Sequence, residues 1–154
     1  MTSTFFSADV KEFLLLLAEY QVRYLIVGGE AVIYHGRSRL TGDVDIFYEL
    51  EESNIDSLYS ALKKFWDNNI PGITDKNELT DFGTIIQFGV PPNRIDLLNE
   101  ISGVSFQEAW SNKITEDLTI NKENVPIYYI GKSELKKNKK AAGRPKDLDD
   151  LNYL

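Results

Sequence analysis

Residues 23–47, RYLIVGGEAVIYHGRSRLTGDVDIF, decide how this chain is read. Arg23 to Val27 is a short apolar run of strand length, and Gly28-Gly29 ends it. Glu30 to His35 then reads as a short helix and Gly36 to Gly42 as a loop. Asp43 to Leu50 (DVDIFYEL) is the clearest strand in the sequence. Val44, Ile46, Tyr48 and Leu50 point one way; Asp43, Asp45, Phe47 and Glu49 point the other. Asp43 and Asp45 therefore share a face. Two carboxylates that close raise one another's pKa unless something compensates. Magnesium does so, because it takes oxygen ligands from one or two carboxylates and completes its shell with phosphate and water oxygens. The plain alternative is that both acids face solvent at a strand start.

Working outward, Ser7 is placed to cap a helix over Ala8 to Tyr20, with Val10, Phe13, Leu14, Leu17 and Tyr20 on one face. Asn54 to Trp66 reads as a second amphipathic helix carrying Ile55, Leu58, Leu62 and Phe65 inward. Ile70 to Asp81 is polar and irregular, a loop. Thr84 to Val90 and Arg94 to Leu98 read as a β-hairpin with Pro91-Pro92-Asn93 in its turn, since neither proline can donate to a ladder. Phe106 to Trp110 is a short helix and Val125 to Ile130 a late strand. Lys132 to Ala142 and Lys146 to Leu154 read as helices, with Gly143 as a stop between them. No repeat or linker interrupts this order. The expectation is a single α/β (α+β) domain over residues 1–154, a mixed sheet flanked by helices with helices at the C-terminal end.

A third acid stands out. In Arg94-Ile95-Asp96-Leu97-Leu98, Asp96 sits among apolar neighbours, where a carboxylate is costly unless paired or ligated. Its ready partner is Arg94 on the same face, so a simple salt bridge and a metal ligand are both open readings. Gly28-Gly29 lets the backbone approach a ligand, and the free amides of the following helix favour phosphate. A structural turn explains the pair equally well. Arg37 and Arg39 could pair with phosphate or coat the surface. His35, the sole histidine, is read as a helix-end residue.

Composition narrows the class. At 42% hydrophobic and 27% charged, the chain reads as a globular protein with a real core. There is no cysteine, which excludes disulfides, thiolate metal sites and cysteine nucleophiles. The N-terminus lacks the pattern of a signal peptide, and Phe13 to Ala18 is too short for a membrane span; a cytoplasmic location is expected. The net charge is −7, yet Lys132 to Lys146 holds seven basic residues and one acid. That asymmetry predicts a basic wall beside an acidic body.

Together these residues resemble the DNA polymerase β-like nucleotidyltransferase superfamily. Its pattern is an apolar strand, G-G or G-S, an intervening stretch, D-x-D on a second strand and an acid on a later one. Here that reads Leu25 to Gly29, Asp43-Val44-Asp45, and Asp96. Thirteen residues separate Gly29 from Asp43, a long interval that must be accommodated. GGEAVIYHGRSRLTGDVDIF is similar in particular to small nucleotidyltransferase-like proteins related to the AbiEii abortive-infection toxins. Those share G-x-P-P-x-R-I-D-L-L, seen from Gly89 to Leu98, and K-x-A-A-G-R-P-K-D-x-x-D-L, seen from Lys139 to Leu151. The resemblance runs from about Arg23 to the end of the chain and implies the minimal nucleotidyltransferase fold.

It implies a chemistry as well. Asp43, Asp45 and Asp96 would be catalytic and would hold magnesium, two ions in all, with Asp96 also helping to deprotonate the acceptor. Gly28, Gly29, Arg39, Thr41, Lys139 and Arg144 would bind substrate. A nucleoside triphosphate such as ATP would pass its nucleoside monophosphate to a hydroxyl acceptor (RNA, protein or small molecule), the chain acting on its own account or as a toxin with an antitoxin partner. The alternatives are a catalytically silent nucleotide-binding module and an interaction partner that keeps the fold. For Lys139 and Arg144 a structural role, with Arg144 paired to Asp147 or Asp150, also stands open. Lys136, Lys137 and Lys140 read as a solvated helix face.

Overall fold

The computed structural model of the chain describes residues 6–37, 41–91 and 93–154. Helix α1 (Ala8–Glu19) starts where Ser7 accepts the Val10 amide N–H at 3.3 Å, satisfying a donor that the first helical turn leaves free. Strand β1 (Tyr24–Val27) is buried on both faces. Helix α2 (Gly28–His35) follows with no intervening loop, beginning on Gly28 rather than Glu30. Strand β2 (Asp43–Tyr48) is two residues shorter than the sequence pattern suggests, and Leu50 is exposed rather than inward. Then come α3 (Glu52–Phe65), a 3-10 turn (Lys76–Leu79), β3 (Ile85–Phe88), β4 (Arg94–Leu98), α4 (Phe106–Ser111), β5 (Ile114–Ile120), β6 (Glu123–Tyr129), α5 (Lys132–Ala142) and α6 (Pro145–Leu151).

The six strands form one mixed sheet in the order β3-β4-β2-β1-β6-β5. Strand β1 runs antiparallel to β2 and parallel to β6, β2 runs parallel to β4, and the β3–β4 and β5–β6 pairs are antiparallel. Helices cover both faces. On one, α1 and α3 bury Phe13, Leu17, Leu58 and Leu62 against Ile26, Val44, Ile46 and Tyr48. On the other, α2, α4 and α5 pack Val32, Ala109 and Leu135 against Leu25, Val27 and Phe47. The alternation read from DVDIFYEL is realised: Val44, Ile46 and Tyr48 enter the first core, and Phe47, on the aspartate face, enters the second. This mixed α/β architecture agrees with the expected class.

Three further elements depart from the sequence reading. Strand β5 was not expected. It pairs along its whole length with β6 through a turn at Asn121-Lys122, where both residues have positive φ (52° and 69°), the backbone of a tight hairpin whose twist matches its strands. Its pattern is weak because it is an edge strand, largely exposed. The stretch 70–81 is irregular but not merely polar: Ile70, Ile73 and Leu79 enter the core, and Asp75 and Glu78 form a capping box around the 3-10 turn. Helix α6 starts at Pro145 and stops at Leu151, with proline in the first turn where its missing N–H costs nothing. Gly143 ends α5 in the left-handed conformation (φ 66°), as the sequence suggests. Among the described residues no helix is long and apolar enough to cross a membrane.

Candidate active site

The aspartates meet because β2 and β4 are parallel neighbours in one register. Asp43 lies opposite Arg94, and Asp45 lies opposite Asp96. Like charges directly across a ladder are destabilising, so this register needs a countercharge. Arg94 supplies part of it. Its Nη2 donates to Asp43 Oδ2 at 2.7 Å, and its Nε and Nη2 donate to Asp96 Oδ1 and Oδ2 at 2.9 and 3.2 Å. Gln87, opposite Asp96 on β3, donates from Nε2 to Asp96 Oδ2 at 3.3 Å. Thr41 Oγ1 lies 3.1 Å from Asp43 Oδ1, a donor to it. The salt bridge read from Arg94 and Asp96 is therefore present, and it extends to Asp43.

One guanidinium faces three carboxylates. One ligand oxygen from each of Asp43, Asp45 and Asp96 falls within 4.8 Å of the others, close enough to share a cation. Burial raises the Asp43 carboxyl, but hydrogen bonds from Arg94 and Thr41 outweigh it and hold Asp43 below the usual carboxylate range. Asp45 has no such relief: burial first, then the charges of Asp43 and Asp96, push it up to about 7. Burial also lifts Asp96, against the pull of Arg94. Hard oxygen donors with surplus negative charge are the donor set magnesium uses, so the residues present fit that ion.

Gly28 makes the arrangement possible. Its φ is 67°, and a Cβ there would collide with the Asp45 carboxylate. Glycine is required first to admit Asp45 against the start of α2, beyond any role toward phosphate. Val27 stands at the N-cap of α2 and makes no side-chain bond to its first amides, donors that a helix start leaves without intrahelical partners. Gly42 is also confined: a Cβ there would come within 2.8 Å of Pro91 Cβ, so the hairpin turn packs on the start of β2. Gly29 is buried in the same turn.

A cavity of about 480 Å³ opens beside Gly28 and Asp45, with Asn138, Lys139 and Arg144 among its lining and Leu98 and Ile101 as apolar wall. The two basic residues differ. Lys139 is buried, its Nζ 3.1 Å from both Asp147 Oδ1 and Asp150 Oδ2. Arg144 is mostly exposed and is held bidentately by Asp147, at 2.6 Å (Nε) and 3.2 Å (Nη2). That is the pairing the sequence left open for Arg144, which also lines the cavity. Arg37 does not reach the aspartate cluster. It binds Asp150 and Asp149 at 2.6 and 2.9 Å and lies over the Tyr153 ring, joining the end of α2 to α6. Lys137 and Lys140 are exposed, and Lys137 pairs with Glu108 at 2.8 Å. His35 Nε2 meets the Ile130 carbonyl at 2.7 Å, a helix-end contact. Arg39 falls outside the described residues.

Glu30 is the residue that sequence reading passed over. It stands in the first turn of α2, where an acid is unremarkable by dipole arguments. Yet it is buried, and burial together with the Asp43 charge pushes its carboxyl up to about 7. The available signal was its neighbours: Gly29, Ala31 and Val32 are all buried, which leaves little room for Glu30 to reach solvent.

Residues 4–153 match the model of a family described as a nucleotidyltransferase of unknown function, DUF6036. Among solved structures, the chain is similar to an antigenic nucleotidyltransferase-like protein from Paracoccidioides brasiliensis. The TM-score is 0.50 at 18% identity, over 96% of this chain and 76% of that one; the likeness is one of fold. A search of the curated proteins finds no match.

Proposed function

Since the chain belongs to this family of nucleotidyltransferases of unknown function, we propose that it transfers a nucleoside monophosphate from a nucleoside triphosphate to a hydroxyl acceptor. The observation that carries this reading is the carboxylate cluster beside the Gly28 turn: Asp45 opposite Asp96, Asp43 one step along, and a cavity with Arg144 on its wall. The triphosphate is taken to lie in that cavity, its phosphates near the first amides of α2 and the donors of Arg144 that Asp147 does not use. Asp43, Asp45 and Asp96 would hold magnesium, in two ions, which when bound would neutralise charge on the phosphates and acidify the attacking hydroxyl. Asp147 holds the Arg144 guanidinium in a fixed plane, so little side-chain freedom is lost when phosphate arrives. Lys139 is spent on Asp147 and Asp150 and serves the site by fixing α6 on α5. In the reaction the acceptor oxygen bonds to the α-phosphorus, and the bond to the β-phosphate oxygen breaks with its electron pair on pyrophosphate. Positioning and electrostatic stabilisation supply most of the acceleration.

The test is incubation with each α-labelled triphosphate and magnesium, with and without cellular RNA and protein, alongside calorimetric titration of triphosphate. Magnesium-dependent label transfer that drops at least about 100-fold in Asp45→Asn and Asp96→Asn supports the reading. No triphosphate binding and no transfer by the wild type would sink it. One observation favours a second reading, the silent nucleotide-binding module: Arg94 already engages Asp43 and Asp96, as a cation in place of metal would. Triphosphate binding without transfer, indifferent to magnesium, would select that reading. As a toxin, the protein would arrest growth when expressed alone and be relieved by a co-purifying antitoxin, with Asp45→Asn harmless.

A further inference from the structure

The carboxylate cluster borders two cavities, and they differ in charge. The larger has Lys139 and Arg144 in its lining together with the acids Asp45 and Glu100. The smaller, about 200 Å³, is lined by Glu30 and Asp43, by the polar side chains of Ser7, Thr41 and Asn93, and by apolar Phe6, Val10 and Val44. Among the described residues no lysine or arginine lines it. Glu30 is 7% exposed, and its Oε2 is buried with no hydrogen-bond partner. It also lies outside the group of acids that can share one cation. A buried carboxylate oxygen without a partner is costly, and because Glu30 lines this cavity, a ligand there that donates to the carboxylate would remove the cost. Asp96 is placed differently: both its oxygens already accept, Oδ1 from Arg94 and Oδ2 from Arg94 and Gln87.

We propose that the smaller cavity receives the acceptor, that Glu30 takes the proton from its attacking hydroxyl, and that the acceptor is a small neutral or cationic hydroxyl compound. This rests on the nucleotidyl-transfer reading. As the acceptor oxygen bonds to the α-phosphorus and pyrophosphate departs with the electron pair, the hydroxyl proton passes to the Glu30 carboxylate and then to water. Glu30 rather than Asp96 is the acceptor of that proton because its oxygen is free. The charge of the described lining sets the substrate class: Arg94 already compensates Asp43, and the unpartnered Glu30 carboxylate favours an ammonium or a neutral polyol over a phosphate. At about 200 Å³ the cavity falls below the roughly 300–1,000 Å³ of pockets for drug-sized ligands, so it suits a small compound. A nucleotide or a nucleic-acid end, bulky and anionic, suits neither property.

Three measurements on wild type and Glu30→Gln decide the matter. The first is binding of the non-cleavable analogue α,β-methylene ATP with magnesium, by calorimetry. The second is an amide NMR titration with ethanolamine, glycerol and glycerol 3-phosphate. The third is transfer of label from α-labelled ATP to those compounds and to a 3′-hydroxyl RNA oligonucleotide. The expected results are analogue binding unchanged within about twofold, shifts at Glu30, Thr41 and Asn93 with ethanolamine and glycerol but not with the phosphate, and transfer down at least about 100-fold in Glu30→Gln. Transfer within threefold of wild type in Glu30→Gln would overturn the role of Glu30. Preference for glycerol 3-phosphate or RNA, in the titration or in transfer, would overturn the acceptor class. If the analogue does not bind the wild type, the nucleotidyl-transfer reading fails and the proton role fails with it. The titration on wild type still decides what the cavity accepts, even should Glu30→Gln not fold.

Discussion

At the scale of single residues, Gly28 links the chain's backbone to its chemistry. Its left-handed φ and the space taken by the Asp45 carboxylate leave no room for a Cβ. Gly28→Ala is expected to lose about 1–2 kcal/mol from the backbone alone, read by urea denaturation, and to abolish triphosphate transfer because Asp45 must move. A destabilised variant with full transfer would refute the placement of Asp45. A second prediction follows from the protons of Asp45 and Glu30. In the fold both carboxyls are lifted, from ordinary values of 3.8 and 4.5 to about 7. Between about pH 4 and 7 the unfolded chain has released these protons while the folded chain keeps them, so their contribution to stability falls as pH rises through that window. For each such carboxyl the loss is about 1.4 kcal/mol per pH unit crossed. The metal-free protein should therefore lose more in Tm between pH 5 and pH 8 than Asp45→Asn does. Magnesium should raise the wild-type Tm more at pH 8 than at pH 5. Parallel pH profiles for the two proteins would contradict this account.

At the scale of elements, the site depends on two strand pairings that differ in their sequence signal. The β2–β4 register sets Asp45 opposite Asp96, but neither strand's sequence says which residue of the other it faces. The D-x-D on β2 and the acid on β4 were legible; their contact, and the double use of Arg94, were not. The ends of β1 and β2 are tied by a residue from a third element. Asn54, at the start of α3, accepts the Arg23 amide at 2.7 Å and donates to the carbonyls of Arg23 and Glu49 at 3.1 and 2.9 Å. It is buried. Asn54→Ala leaves those groups without their partners and is expected to cost about 3 kcal/mol, measured by chemical denaturation, with the amide of Arg23 losing protection from hydrogen exchange. A loss under about 0.5 kcal/mol would show that water replaces the side chain. The missed strand β5 marks the other limit. An exposed edge strand needs only a partner ladder, so it carries little of the alternation that marks a half-buried one.

At the scale of the molecule, the two C-terminal helices are held to each other by a buried charge network that Arg37 ties to the rest. Lys139 sits between Asp147 and Asp150, both fully buried, and Arg37 reaches Asp150 from the loop after α2. Removing one partner of such a network strands the others. Lys139→Met is expected to destabilise the fold by about 3–5 kcal/mol, and adding Asp150→Asn should recover part of the loss, as coupled neighbours do. If Lys139→Met is neutral in denaturation, the network does not hold α6. The sequence by itself determined the helices, most strands, the glycine turn and the three aspartates as candidates, because helical and strand periodicities and the φ > 0 freedom of glycine are local properties. Only the tertiary structure decided which charges meet. It placed Asp43, Asp45 and Asp96 in one cluster, set Lys139, for which the sequence left substrate binding and a structural role open, in a buried ion pair on the cavity wall, and put Glu30, whose Oε2 has no partner, in the lining of a cavity. Those outcomes depend on parallel strand register and on packing between elements far apart in the chain, and neither is written in the spacing of residues along it.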